Sequence, residues 1–376
     1  MALSFEIDDH LTKSLQSLDL KFAEWAKMLG DLDSGIRASI HRQARISTIG
    51  ATTRIENAVL TDLEVDWVDT ELETDGRPTA FIERRHVIEA KLSKDKERSI
   101  EEVAGCREML AVIHTQGRDL FPLTQSTVCG LHRELLKYYP PAEYHLGRYK
   151  TVPNTVVERD LFTGVERDVL NTSNPGPITE SAMADLVDWY NQTLPEHPWP
   201  IAVACEFVFR FLACHPFQDG NGRLGRALFT LALLQGPRDH LNQVAPYLAV
   251  DRIIEQHRSE YYTVLARVSG GLSSLDPSTY RIDLFLNFML KMLVKALDAI
   301  GVSRDRAQAI RDISPAATQI LNCFREQPEQ RLTPKQIGLE TKIPTRTISR
   351  TLGTLVKAEL IQRLGKGAGT RYKLTF

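Results

Sequence analysis

His215-Pro216-Phe217-Gln218-Asp219-Gly220-Asn221-Gly222-Arg223-Leu224-Gly225-Arg226 joins two apolar segments, and its reading decides the fold. Upstream, Ala202–Cys214 has the periodicity of a buried helix, and Leu224–Leu234 downstream has it again. Asp219-Gly220-Asn221-Gly222 reads as a tight turn, because its glycines allow positive φ and close backbone approach. The second helix is expected to start near Asn221. The free N–H groups of its first turn would point into the loop and form an anion site. Arg223 and Arg226 are three residues apart and are expected on one helix face, able to reach the same polyanion. Asp219 is a hard oxygen ligand suited to Mg²⁺ carried by phosphates. His215, with an ordinary pKa of about 6.5, suits a general base. Phe217 is apolar and reads as an anchor for the loop. Base, metal ligand, anion hole and cationic clamps in one loop are the equipment of phosphoryl or nucleotidyl transfer, where positioning and charge stabilisation carry most of the catalysis.

Helical periodicity dominates outside this loop. Leu11, Leu15 and Leu18 share a helix face, as do Ile100, Val103, Met109 and Val112. Leu131–Tyr138, Met183–Leu194, Ile253–Val268 and the long apolar Tyr280–Ile300 also read as helices. Strand signals are few. Lys150–Val157 looks extended, Pro153 argues for an edge strand, and a hairpin turn is expected over Glu158–Gly164. Asn171–Pro177 and Ser269–Pro277 read as loops.

The chain has 376 residues with a net charge of -2, which suits two or three domains and excludes a globally basic nucleic-acid coat. The charge is uneven. Ser314–Phe376 holds 11 Lys/Arg against 4 Asp/Glu, so this segment carries +7 and the remainder -9. That shift, with Pro315, marks a boundary near Arg311–Ser314. The 5 cysteines (Cys106, Cys129, Cys205, Cys214, Cys323) are scattered, with no metal or redox spacing. They read as reduced thiols. Met1–His10 is acidic and is no signal peptide, and the apolar stretches are too short to span a bilayer. The expectation is a cytoplasmic protein without a membrane partner.

The His215–Arg226 stretch resembles the signature of the Fic family, His-Pro-Phe-x-Asp/Glu-Gly-Asn-Gly-Arg-x-x-Arg, at every fixed position. The resemblance implies a mainly α fold, a Fic helical core with a β-hairpin flap. It also implies transfer of AMP from ATP to a hydroxyl of a target protein, or of the protein itself, with release of pyrophosphate. On this resemblance His215 deprotonates the target Ser, Thr or Tyr, and Asp219 holds Mg²⁺ on the α- and β-phosphates. Gly220, Asn221 and Gly222 line the anion hole. Arg223 meets the β-phosphate and Arg226 the γ-phosphate, with Leu224 and Gly225 in the same nucleotide-binding stretch. Gly222 stands where a kinase-like branch of the family has lysine, which favours AMP transfer. Gly147-Arg148-Tyr149-Lys150-Thr151 looks like the lead into the flap, where a target segment docks as an added strand. Asn154, Thr155, Val156 and Val157 would then cover the nucleotide. Ser259-Glu260-Tyr261-Tyr262 resembles the tyrosine pair of the adenine pocket.

Thr52-Thr53-Arg54-Ile55-Glu56-Asn57 matches a second family pattern, Ser/Thr, three residues, Glu, then Gly or Asn. Thr52 and Glu56 are one turn apart on a helix. The resemblance implies an inhibitory helix around 47–60, whose Glu56 pairs bidentately with Arg226 and displaces the γ-phosphate. In some family members this glutamate also supports AMP removal, and the sequence leaves that open here. The basic C-terminus resembles a winged helix-turn-helix. Thr333–Glu340 is a first helix, Thr345–Leu360 a second, and Leu360–Leu374 a wing turned at Gly365–Gly369. Arg346, Arg350, Lys366 and Arg371 are its candidate DNA contacts. The expected organisation is 1–95 N-terminal helical, 96–300 Fic domain, 301–313 linker and 314–376 winged helix. Two functions stand open: an autoinhibited adenylyltransferase, or a nucleotide-sensing DNA-binding regulator without transfer. The winged module takes DNA or a protein partner in these readings, and a homodimer is also open.

Overall fold

The computed structural model describes residues 2–74, 77–159, 164–274 and 276–375. The first helices are α1 (Asp9–Asp31), α2 (Ser34–Ile55) and α3 (Asp62–Glu71). A short hairpin follows, β1 (Glu73–Thr74) with β2 (Arg77–Pro78). Next come α4 (Phe81–Glu89), α5 (Glu97–Gln116) and α6 (Gln125–Leu136). A second hairpin pairs β3 (Thr155–Arg159) with β4 (Glu166–Asn171). The helices α7 (Pro177–Thr193), α8 (Pro200–Cys214), α9 (Asn221–Gln235), α10 (Asp239–Val244), α11 (Val250–Gln256), α12 (Arg258–Ser269) and α13 (Ile282–Arg311) complete the main body. At the C-terminus stand α14 (Pro315–Arg325), α15 (Pro334–Thr341), α16 (Thr345–Lys357) and a hairpin of β5 (Ile361–Leu364) and β6 (Arg371–Leu374). The fold is mainly α with hairpins.

The packing follows from where the apolar residues fall. Every residue of α8 except Arg210 is buried, and this helix packs inside the core against α7, α9 and α13. One face of α1 contributes Leu11, Leu15, Leu18 and Phe22 to the same core. Asp8 caps α1 by accepting from the Leu11 N–H at 2.7 Å. Glu206 of α8 is fully buried and accepts from the Ser4 N–H at 2.9 Å, which pins the N-terminal residues across the helix.

A second apolar cluster holds α14, α15, α16 and the last hairpin together, around Ile320, Phe324, Ile348 and Leu355. Thr333 caps α15 in a capping box with Gln336. This unit leans on the main body. Glu329 accepts from the Ser93 N–H, the Ser93 hydroxyl and Lys96, and Lys96 also pairs with Glu64 of α3.

Several sequence expectations change. Ile253–Val268 is two helices, not one. The His257 ring Nδ1 lies 2.9 Å from the Ile253 carbonyl and takes the acceptor that its own backbone N–H would use. The second C-terminal helix stops at Lys357, where Glu359 turns left-handed at φ 57°. Extended backbone starts at Thr155 rather than Lys150, because the Lys150 N–H is bonded to the Pro216 carbonyl at 2.8 Å. Part of the expected hairpin turn, 160–163, lies outside the described residues. Among the described residues all cysteines are free, and no helix is long and apolar enough to cross a membrane.

The α5–α6 contact is close enough to test. A Cβ at Gly105 would collide with the Leu135 carbonyl, a backbone atom that cannot swing away. Gly105→Ala is therefore expected to cost about 1–3 kcal/mol, read as a lower chemical-denaturation midpoint. An unchanged midpoint would mean the helices do not meet this closely.

Candidate active site

The corner between α8 and α9 is built from backbone geometry. His215 follows the last residue of α8 and holds the left-handed conformation, φ 51° and ψ 58°. Gly220 precedes α9 at φ 81°, a value glycine adopts without strain. The side chain of Asn221 locks the loop between them. Its Oδ1 accepts from the Phe217 N–H at 2.9 Å, and its Nδ2 donates to the Phe217 carbonyl at 2.7 Å. Phe217 is fully buried and stacks on His132, ring centroids 3.9 Å apart and 8° from parallel. His132 Nδ1 accepts from the Gly147 N–H at 3.0 Å, so its other nitrogen carries the proton and donates to the Asp219 carbonyl at 3.0 Å. Burial holds the His132 pKa at about 4, which keeps the ring neutral and this tautomer fixed.

Beside the corner lies an open cavity of about 170 Å³. His215, Asp219, Gly220, Asn221, Gly222 and Arg226 form its floor, Asn154–Val157 one wall, and Tyr261 with Tyr262 another. The tyrosine rings meet edge to face, centroids 5.4 Å apart. Glu56 also faces the cavity, brought from far upstream in sequence. The structure thus gathers most of the sequence-named residues at one place.

It also sorts them differently in detail. Arg223 and Arg226 diverge. Arg223 turns to Asp219 at 3.2 Å and Glu102 at 3.9 Å and does not line the cavity. Two of its guanidinium nitrogens, Nε and Nη1, are buried without a hydrogen-bond partner among the described residues. Leu224 is buried and Gly225 packs on Leu212, so neither reaches the cavity. The Gly220 N–H, expected free for an anion, donates to Asp219 Oδ1 at 2.6 Å. Helix α2 ends at Ile55, so Glu56 is its C-cap rather than a helical residue. The Glu56–Arg226 pair is single, not bidentate. Arg226 Nη2 meets Glu56 Oε1 at 2.9 Å, while Thr52 takes Nε through its hydroxyl at 2.8 Å and Nη2 through its carbonyl at 2.9 Å. Thr52 fills the Nε/Nη2 edge, which excludes a two-pronged grip by Glu56 on that edge.

Electrostatics set the reactive groups. Burial lowers the His215 pKa to about 4, and the Lys150 ammonium pushes the same way. The ring is therefore neutral near pH 7. Its Nδ1 lies 3.2 Å from the Leu212 carbonyl, which can only accept, so Nδ1 holds the proton and Nε2 carries the lone pair. Asp219 stays ionised: burial opposes its charge, but Arg223 and the Gly220 N–H outweigh that and lower its pKa. Arg226 is buried, yet Glu56 keeps it firmly charged. A single half-exposed carboxylate at Asp219 fits Mg²⁺, which usually takes one or two protein carboxylates plus phosphate oxygens and water. No cluster of three or more metal-ligating side chains occurs among the described residues.

Sequence reasoning missed His132, Lys150, Thr172 and the apolar lining of Leu212, Val169 and Leu265. Lys150 stands inside the quoted Gly147–Thr151 stretch, so a lysine next to a candidate flap was the available signal.

Residues 122–233 match the model of the Fic/DOC family. The match covers under a third of the chain and includes the α8–α9 corner. Among curated proteins, a Fido domain-containing protein of Dictyostelium discoideum is 40% identical over 77 residues, 20% of this chain and 50% of that protein. Protein adenylyltransferase fic-1 of Caenorhabditis elegans is 28% identical over 160 residues, 43% of this chain and 28% of its own length. Protein adenylyltransferase Fic of Nematostella vectensis is 25% identical over 228 residues, 60% and 46% of the two chains. The chain spans half or less of the length of these relatives. In fold it is similar to a Fic family protein from Desulfovibrio desulfuricans G20, with a TM-score of 0.58 and 21% identity over 100% of this chain and 98% of that one. A Fic domain-containing signaling protein from Bacteroides thetaiotaomicron gives a TM-score of 0.54 at 22% identity, over 77% and 96%.

The loop lock is open to direct test. Asn221→Ala strips the buried Phe217 N–H of its partner and leaves the Phe217 carbonyl to Asn154 alone, an expected loss of about 1–3 kcal/mol. Thermal unfolding checks it, and a stability equal to wild type would show that the loop is held by something else.

Proposed function

We propose that this protein is an adenylyltransferase, moving AMP from ATP to a hydroxyl side chain of a protein target or of itself, and that Glu56 inhibits it. The observation that carries this reading is the cavity itself: a neutral His215, Asp219, the first turn of α9 and Arg226 meet beside a hairpin wall. His215 Nε2 takes the proton of the attacking hydroxyl as it bonds to the α-phosphorus, and pyrophosphate leaves with the electron pair of the broken bond. The N–H groups at the start of α9 face the phosphates, and Arg226 neutralises their far end. A magnesium ion held by Asp219 and phosphate oxygens would screen the charge of the leaving group. Tyr261 and Tyr262 supply an apolar wall for the base. The β3–β4 hairpin serves as the flap on which a target strand docks.

Inhibition is substitution of a carboxylate for a phosphate. Glu56 already occupies Arg226 Nη2, and it stands where a Cβ on Gly222 would collide with it. ATP must displace this carboxylate to place its terminal phosphate. Glu56 is about one-third exposed but its partner Arg226 is buried, so removing Glu56 frees the cavity and leaves that cation to Thr52 and the more distant Asp251, at some cost in stability.

The C-terminal unit supports a second reading as a winged helix-turn-helix. Arg346 and Arg350 on α16 and Lys366 and Arg371 on its hairpin are all exposed, in a segment of net charge +7. Those groups suit phosphate contacts on DNA, with α16 in the major groove. A nucleotide-sensing DNA-binding regulator would use them without AMP transfer.

The experiment is incubation of wild type, Glu56→Gly and Glu56→Gly/His215→Ala with Mg²⁺ and α-labelled ATP in whole-cell lysate. Covalent label is expected to rise about tenfold or more in Glu56→Gly, since Arg226 regains its phosphate, and to vanish in the double variant. Equal label in wild type and Glu56→Gly would sink the inhibitory role. No label anywhere, with ATP still bound, would favour the DNA-binding reading.

A pH prediction follows from the buried histidine. The folded pKa of about 4 lies below the ordinary value, so the basic form persists as pH falls through 6.5. In Glu56→Gly, kcat/KM for transfer should hold nearly level from about pH 7 to about pH 5 and fall nearer pH 4. An acid limb centred near the ordinary histidine value would contradict the burial argument.

A further inference from the structure

Lys150 is buried, and the chemistry above gives it no role. Its ammonium donates to Asn154 Oδ1 at 2.9 Å, to Thr172 Oγ1 at 2.9 Å and to the Cys214 carbonyl at 3.1 Å. An ammonium has three protons, so these acceptors fill its donor capacity. Each acceptor belongs to a different part of the site. Asn154 leads into β3, Thr172 follows β4, and Cys214 ends α8 directly before His215. The Lys150 backbone N–H donates to the Pro216 carbonyl, directly after His215, at 2.8 Å. One residue therefore brackets His215 from both sides and holds both ends of the hairpin.

The surrounding bonds close the unit. Thr172 donates to the Asn154 carbonyl at 2.7 Å, Asn154 donates to the Phe217 carbonyl at 2.8 Å, and Ser173 donates to the Cys214 carbonyl at 2.7 Å. None of the three hydrogen-bond acceptors of the ammonium is a carboxylate. Among the described residues its titratable neighbours are the Cys214 thiol and the His215 ring. A cation buried without a counter-ion is costly, and a neutral side chain would pack there more cheaply. A purely structural peg does not need the charge.

We propose that Lys150 is a positioning residue for AMP transfer, fixing both ends of the flap and the His215 corner as one unit so that a docked hydroxyl meets Nε2 in line. This rests on the adenylyltransferase reading above. A target strand on the flap is carried at whatever height the flap adopts, and an error of about 1 Å at the reacting atoms can cost about 100-fold in rate.

The test uses the full chain with Glu56→Gly as parent, adding Lys150→Met, Lys150→Arg or Thr172→Val. AMP incorporation into lysate protein is measured over a range of α-labelled ATP, and deuterium exchange is followed over 155–159 and 166–171. Lys150→Met is expected to lower the maximal rate about 100-fold while the apparent KM for ATP stays within about threefold. Flap amides should exchange faster in this variant, and Lys150→Arg should recover part of the rate by keeping a buried cation. Thr172→Val should move rate and exchange the same way, less far. A Lys150→Met rate within about threefold of the parent overturns the proposal, as does a change confined to KM with flap exchange unaltered. Should Lys150→Met fail to fold, Thr172→Val decides, and an unchanged rate there overturns it. A parent without label means that the transfer reading has failed instead. The exchange comparison then still judges whether Lys150 anchors the hairpin.

Discussion

Both polar atoms of the Asn221 side chain are spent on the backbone of Phe217, and the active corner depends on that clasp. It joins the first residue of α9 to the loop that leaves α8. With Phe217 held, its ring stacks on His132, and His132 in turn fixes the Asp219 carbonyl and the chain at Gly147. His215, the Asp219 carboxylate and the main-chain N–H groups of the first turn of α9 thereby acquire a common frame. The division of labour is sensible on energetic grounds. Groups that must meet a substrate cannot also be committed to holding the loop, because each bond made internally would have to be broken first.

The same economy governs the cations. Arg223 and Arg226 share a helix but not an environment. Arg223 lies against two carboxylates, with part of its guanidinium unsatisfied. Arg226 is shared between the Thr52 backbone and hydroxyl, the Glu56 carboxylate and, more distantly, Asp251. Arg54 clasps Glu255 through two bonds and reaches Asp62, so the end of α2 is tied to α11 and α3 rather than left to fray. Glu56 is the residue after that tied end. Its placement is thus a property of the helix ending, with Asn57 turning left-handed at φ 73° to release the chain.

The corner was legible in the sequence because turn chemistry and apolar periodicity agree there. Helix, glycine turn and helix could be placed within a residue or so, as could the Thr333 cap and the C-terminal hairpin. What was not legible depends on partners distant in sequence. Spacing put Arg223 and Arg226 on one face, but Glu102 and Thr52, from different helices, draw them apart. The break at His257 comes from a side chain competing with its own backbone, which periodicity cannot register. The anchoring by Lys150 requires the hairpin and the end of α8 to be adjacent, a long-range fact. His132 reads as an ordinary apolar-face histidine until its ring is seen lying flat on Phe217.

His215 sits in the left-handed region, where a side chain with a Cβ costs about 1 kcal/mol or more relative to glycine. Judged by folding alone, glycine or asparagine is the better residue at that helix end. A lineage that lost the need for the imidazole would therefore gain stability by replacing it. Drift would erase this histidine early, before the apolar residues of α8 that only pack. The residue at this one position is thus a more sensitive record of whether a descendant keeps the chemistry proposed for this cavity than the whole of the core beneath it.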